Sequence, residues 1–163
     1  KESIINILSK LFPKKIIIVS SAPQIRYPDC YGIDMSVMKS FVAFQAMIEL
    51  CEDPGKDDFI EEIYQRCKAQ EHLPKEQMVN HVKELYALFS DKQISERIAR
   101  IVRPENLKYE LEVLFQTIEG LHLACPDNLG DWYFSGDYPT PGGTKVVNKA
   151  FINFMEKSSA RAY

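Results

Sequence analysis

The chain has no CxxC pair. Its four cysteines, Cys30, Cys51, Cys67 and Cys125, are few and widely spaced. That pattern excludes a disulfide scaffold and reads as reduced thiols in a cytoplasmic protein. Cys51 and Cys67 fall within helical patterns and behave as small apolar residues. Histidine is equally sparse: His72, His81 and His122 are the only three, and the first two lie nine positions apart. They do not share a helix face, so no metal site is expected from them. No apolar run is long enough to span a bilayer, and the opening KESIINILSK has neither a signal-peptide core nor a cleavage site. Positive charge is not in excess, with 20 Lys and Arg against 23 Asp and Glu and a net charge of -3. That balance gives no electrostatic reason to expect nucleic acid. Repeats and low-complexity stretches are also missing.

What is present suffices for one ordinary core, since 45% of the 163 residues are apolar. The most specific stretch is IIIVSSAPQIRYPDCYGIDMS, from Ile16 to Ser36. Ile16, Ile17, Ile18 and Val19 form a β-branched block suited to a parallel strand covered on both faces. Before it, Ile4, Ile5, Ile7, Leu8 and Leu11 recur at helical spacing, and Pro13 ends that helix. Helix, strand, loop and helix in that order form the unit of an α/β layer, in which ligands collect at strand carboxyl ends. Here that end is Ser20-Ser21-Ala22-Pro23. The loop beyond it carries Arg26, Tyr27, Asp29, Tyr31 and Asp34, and Ser36 is placed to cap the next helix.

The remainder reads as helices. Val37, Phe41, Phe44, Met47, Ile48 and Cys51 make one apolar face. Asp53-Pro54-Gly55-Lys56 breaks that helix, and Asp57 or Asp58 caps another that runs to about Gln70. A third helix starts at Pro74 and carries Met78, Val82, Leu85, Tyr86 and Phe89. Ser95 to Val102 fits a short helix or a strand, and its capping-box-like start favours the helix. Leu107 to Leu123 is expected to be one long helix bearing Leu111, Leu114, Ile118 and Leu121. A loop from Cys125 to Gly143 precedes a last helix, Thr144 to Lys157. One strand against six or seven helices is too few strands for a complete α/β domain. The expectation is therefore an α/β sheet cut near the amino end of the chain, followed by a helical extension. The absence of an initial methionine, with the chain starting inside a helical pattern, suits a piece of something longer.

SSAPQIRYPDCYGIDM, at 20–35, resembles a segment of glutamine amidophosphoribosyltransferases, in which a small-residue strand end precedes YGIDM. KESIINIL resembles the helix that follows the phosphoribosyl-pyrophosphate loop of that family. GDWYFSGDYPTPGG and the helix after it resemble the carboxy-terminal end of a long bacterial branch. The YGIDM stretch is specific; the middle helices are not. The resemblance implies a type I phosphoribosyltransferase parallel-sheet layer, partial here, over residues 1–52, and a predominantly helical extension over 53–163. It implies a glutamine amidotransferase and glycosyltransferase of purine biosynthesis, a homo-oligomer in the parent. Ammonia released from glutamine displaces pyrophosphate from phosphoribosyl pyrophosphate, with magnesium neutralising charge on the leaving group.

Carried over by position, Tyr31 and Asp34 lie near the transferase site or the interface with the glutaminase. Phe41 falls where the family has an apolar residue lining the ammonia route. Plainer readings stand beside these: Asp34 as a charge orienting the next helix, Tyr31 as a packing residue and Phe41 as core. Arg26 fits a local ion pair, and the aromatic DWYFSGDYPTPGG loop fits packing onto its own domain. The sequence departs from the family where the chemistry is done. It holds neither the glutaminase nucleophile nor the acidic-pair and Gly-Thr loop that binds the ribose phosphate. No residue is assigned as catalytic or as a metal ligand, and the 163 residues alone are expected to be inactive. An iron–sulfur cluster, present in some members, is not expected: Cys30 is displaced by one position and no cysteine pair precedes Tyr138-Pro139-Thr140. Phosphoribosyl pyrophosphate and glutamine would bind through the part not included here. The alternatives are a non-catalytic helical interaction domain and a catalytically dead paralogue.

Overall fold

Ile16, Ile17, Ile18 and Val19 form the strand that their branching favours. It is β1 (Lys15–Ser20) in a computed structural model that describes residues 2–30, 33–52, 56–128 and 130–163. β1 pairs in parallel with β2 (Glu110–Phe115), in register from Lys15 opposite Glu110 to Ser20 opposite Phe115. The fold is thus mixed α/β, mostly helical, with a two-stranded parallel sheet. A second strand corrects the expected long helix over Leu107 to Leu123. Leu111, Leu114, Ile118 and Leu121 suit a helix, but Leu111, Val113 and Phe115 alternate equally well as a strand. Thr117 then starts α6 (Ile118–Ala124), its hydroxyl accepting from the Gly120 amide at 2.9 Å.

Strand alternation places Ile16, Ile18, Leu111, Val113 and Phe115 on one face. That face meets α5 (Asp91–Val102) and α1 (Glu2–Ser9), whose Ile5 joins Ile16, Leu107 and Leu111 in a small satellite core. The opposite face bears Lys15, paired with Glu110 at 2.8 Å and Glu112 at 2.6 Å, and then Ile17, Val19 and Leu114. Ile17 is 50% exposed and Val19 72%. The strand is therefore not covered on both faces as expected, because the helices of the described residues pack against one side only. α1 repeats the pattern: Ile5 is buried while Ile4, Ile7 and Leu8 stay exposed.

The main core lies among α2 (Val42–Cys51), α3 (Asp57–Ala69), α4 (Val82–Tyr86), α5 and α8 (Pro141–Met155). Phe44 and Phe151, both fully buried, meet edge to face at 6.3 Å, and Phe44 meets Phe154 at 4.8 Å. Met47, Ile63, Leu85, Ile94 and Val147 fill the space around them. Residues on both sides of position 52 contribute to this core. Cys51 and Cys67 are buried within it, as the helical pattern implied.

Several element starts differ from expectation. A 3-10 turn, Met38–Ser40, precedes α2, which has Phe41 at its N-cap, so Ser36 does not cap that helix. Lys56 occupies the N-cap of α3, placing Asp57 and Asp58 inside its first turn. Pro74 begins only a 3-10 turn, Lys75–Gln77, and α4 forms later as a separate piece. α5 starts earlier than Ser95, where Ser90 and Gln93 form a reciprocal capping box. The loop after Cys125 contains α7 (Trp132–Ser135), and α8 opens with Pro141 in its first turn. Among the described residues no helix is long and apolar enough to cross a membrane.

Candidate functional site

The loop leaving β1 needs partners for its backbone amides, because it runs through protein interior. It finds them in the aromatic loop that precedes α8. The amides of Arg26 and Tyr27 both donate to the Tyr133 carbonyl, at 2.8 and 3.1 Å. The Trp132 indole N–H donates to Asp29 Oδ2 at 2.7 Å, and the Tyr138 hydroxyl donates to the Pro28 carbonyl. Asp29 Oδ1 also accepts from the Cys30 amide at 2.6 Å, and the Asp29 amide donates to the Met35 carbonyl at 2.9 Å. The two segments that carry the family resemblance, about a hundred residues apart, thus form one joint.

Glycine makes the joint possible at two points. Gly136 ends α7 at φ +74°, and a Cβ there would sit 2.9 Å from the Tyr27 ring. At Gly143 a Cβ would overlap the Tyr138 ring. Asn80 closes the far side by donating to the Gly136 carbonyl at 3.1 Å, while its own Oδ1 is buried without a partner. Burial drives the Tyr27 and Tyr138 phenols well above their ordinary range, so both stay protonated. The hydrogen bond to Asp29, before burial, raises the Cys30 thiol, which is accordingly not an activated nucleophile. A hollow of about 400 Å³ opens beside the joint, walled by Asp29, Cys30, Trp132, Tyr138 and the start of α8.

Gln24 and Arg26 fasten the same loop to α5. Gln24 Nε2 donates to the Asp91 carbonyl at 2.9 Å and to Ser95 Oγ at 2.8 Å. Arg26 donates to Gln24 Oε1 at 2.7 Å, pairs with Asp91 and lies 5.3 Å from the Tyr86 ring centroid. Its acid is therefore distant in sequence rather than local. Beyond this fastening, a cleft of about 620 Å³ runs along β2 and α5 to Gln116 and Thr117 at the carboxyl end of β2.

Of the sequence-assigned residues, Tyr31 lies outside the described residues. Asp34 belongs to a 3-10 turn, Ile33–Ser36, whose described part does not include its side chain. Phe41 is half-buried against the main core at the start of α2. It lines none of the hollows described; one of about 220 Å³ is walled by Phe44 and Ile48 of α2 and Phe154 of α8. Sequence reasoning missed the Asp29–Trp132 and Tyr138–Pro28 contacts. The signal available was the concentration of Trp and Tyr in one polar loop, which needed a buried acceptor.

One further cluster has triad-like composition without triad order. Asp131 lies between His122 Nε2, at 3.0 Å, and Ser135 Oγ, at 2.9 Å. Nucleophile activation requires the histidine to stand between hydroxyl and carboxylate; here the carboxylate is in the middle, and it anchors α7. Among the described residues no three His, Cys, Asp or Glu converge as a metal-holding group, so these residues do not by themselves fit a magnesium ion. Neither a family model nor a curated protein nor a solved structure matches the chain.

Proposed function

We propose that the chain is the carboxy-terminal part of a cytoplasmic amidophosphoribosyltransferase, the glycosyltransferase that makes phosphoribosylamine from phosphoribosyl pyrophosphate and glutamine-derived ammonia. The observation that carries this reading is the joint itself. Two segments chosen for their likeness to one family, 20–35 and 130–143, meet through Asp29–Trp132, Pro28–Tyr138 and the Tyr133 carbonyl. A chance likeness at two distant places would have no reason to be contiguous in space. The loop also follows the carboxyl end of a parallel strand, where α/β sheets place their ligands.

In this reading the joint is a wall beside the transferase site, next in sequence to the segment that carries Tyr31 and Asp34. Phe41 contributes apolar surface near the ammonia route, where neutral ammonia is not held by charge. The chain's own part is to position and to exclude water; the phosphate loop and the nucleophile belong upstream. Magnesium, when bound, would neutralise the departing pyrophosphate, through ligands other than the described residues. The test is to express the gene at full length and assay pyrophosphate release from phosphoribosyl pyrophosphate with ammonia and with glutamine. Release with either nitrogen source, and none from the 163 residues alone, supports the proposal; no release with either sinks it. A second reading, a helical interaction domain, is favoured by the exposed apolar stripe of α1. It requires the full-length product to be inactive in that assay.

A further inference from the structure

A further cavity lies between α3, α8 and the tail at 160–163, and shares Lys145, Ala162 and Tyr163 with the hollow beside the loop joint. It measures about 280 Å³, at the small end of organic-ligand pockets. Its apolar lining comes from Met78, Ile152, Ala162 and Cys67. Burial pushes the Cys67 thiol up to about 12, so that wall is uncharged. Gln70 and Asn148, both buried, also line it. Each donates one side-chain N–H to the Val79 carbonyl, at 3.2 and 2.9 Å. A carboxamide has two such hydrogens, so each retains a donor.

The charges around this cavity are unbalanced. Lys145, Lys149 and Arg161 line it, with Glu71 as the one acidic side chain among the lining residues. Glu71 is already held by Lys149 at 2.8 Å and Lys68 at 3.0 Å, and those bonds, Lys149 first, draw it below its ordinary value. Lys145 and Arg161 meet no carboxylate among the described residues. An apolar floor, spare amide donors and surplus cations at the rim together select a negatively charged head on a compact apolar body. We infer that the α3–α8–tail cavity binds a small organic anion, such as a single-ring carboxylate.

The test is titration of the whole chain with phenylpropionate, followed by two-dimensional amide NMR. Saturable shifts are expected at the side-chain amides of Gln70 and Asn148 and at the backbone of Ala162. Phenylpropionamide, equal in shape but neutral, is expected to bind about tenfold more weakly, as is phenylpropionate to the Lys145→Glu, Arg161→Glu double variant. Equal binding of the amide overturns the inference. So does the absence of saturable shifts, or their location on the exposed α1–β1 surface. The amide comparison uses the unaltered chain, so it decides the matter even if the double variant folds poorly.

Discussion

Asp29 concentrates the loop joint in one side chain. It is 5% exposed and accepts from both the Trp132 indole and the Cys30 amide. Removing it leaves the half-buried Trp132 N–H and the Cys30 amide without this acceptor, at a cost of up to about 1–3 kcal/mol. Asp29→Ala is therefore expected to lower stability by about that amount in urea unfolding. Since Trp132 is the sole tryptophan, its fluorescence emission should shift in the folded state as the indole loses its acceptor. An unchanged emission maximum would show that the joint does not depend on this bond. Asp29 was visible in the sequence as one acid in a suggestive loop. Nothing local marked it as the buried one, because its partner is 103 positions away.

Between elements, the clearest electrostatic device clamps α3 to α8. Glu156 accepts from Lys68 at 2.8 Å and from the Tyr64 hydroxyl at 3.0 Å, while Glu71 is shared by Lys149 and Lys68. Lys68, in the Glu156 case, and Lys149, in the Glu71 case, are the leading causes that place both carboxyls below their ordinary value of 4.5. A carboxyl with a depressed folded-state pKa stabilises the fold above its unfolded value, and that contribution disappears as pH falls through the folded value. The stability of the chain should therefore decline on acidification below about 4. The Glu71→Gln, Glu156→Gln double variant should show a flatter acid limb, with the gap from the parent closing as pH drops. These groups are partly exposed, so the effect should also shrink in high salt. A gap that widened on acidification would contradict the assignment.

Across the whole molecule, apolar residues divide into two populations that composition cannot separate. Phe44 is fully buried at the meeting of α2 and α8, and Phe44→Ala is expected to cost about 3–5 kcal/mol. Ile17 and Val19 look as hydrophobic in sequence, yet both face outward from β1. Lysine at those two positions should change stability by no more than about 1 kcal/mol. Paired thermal melts check the contrast; a large loss from the strand substitutions would mean that the outward face is covered in solution.

The sequence by itself determined the amphipathic helices α2 and α3 and the closing helix α8, and the strand β1, whose β-branched run favours extended backbone. It also picked out the two segments that meet at the loop joint. Tertiary structure decided the rest. Leu111 to Phe115 satisfies both helical and strand periods, and only the free edge of β1 selects the strand. The side of β1 left exposed depended on where α1 and α5 settled. Asp29, Trp132, Pro28 and Tyr138 became one site because distant loops satisfied each other's buried hydrogen-bonding groups, a requirement that no local pattern encodes.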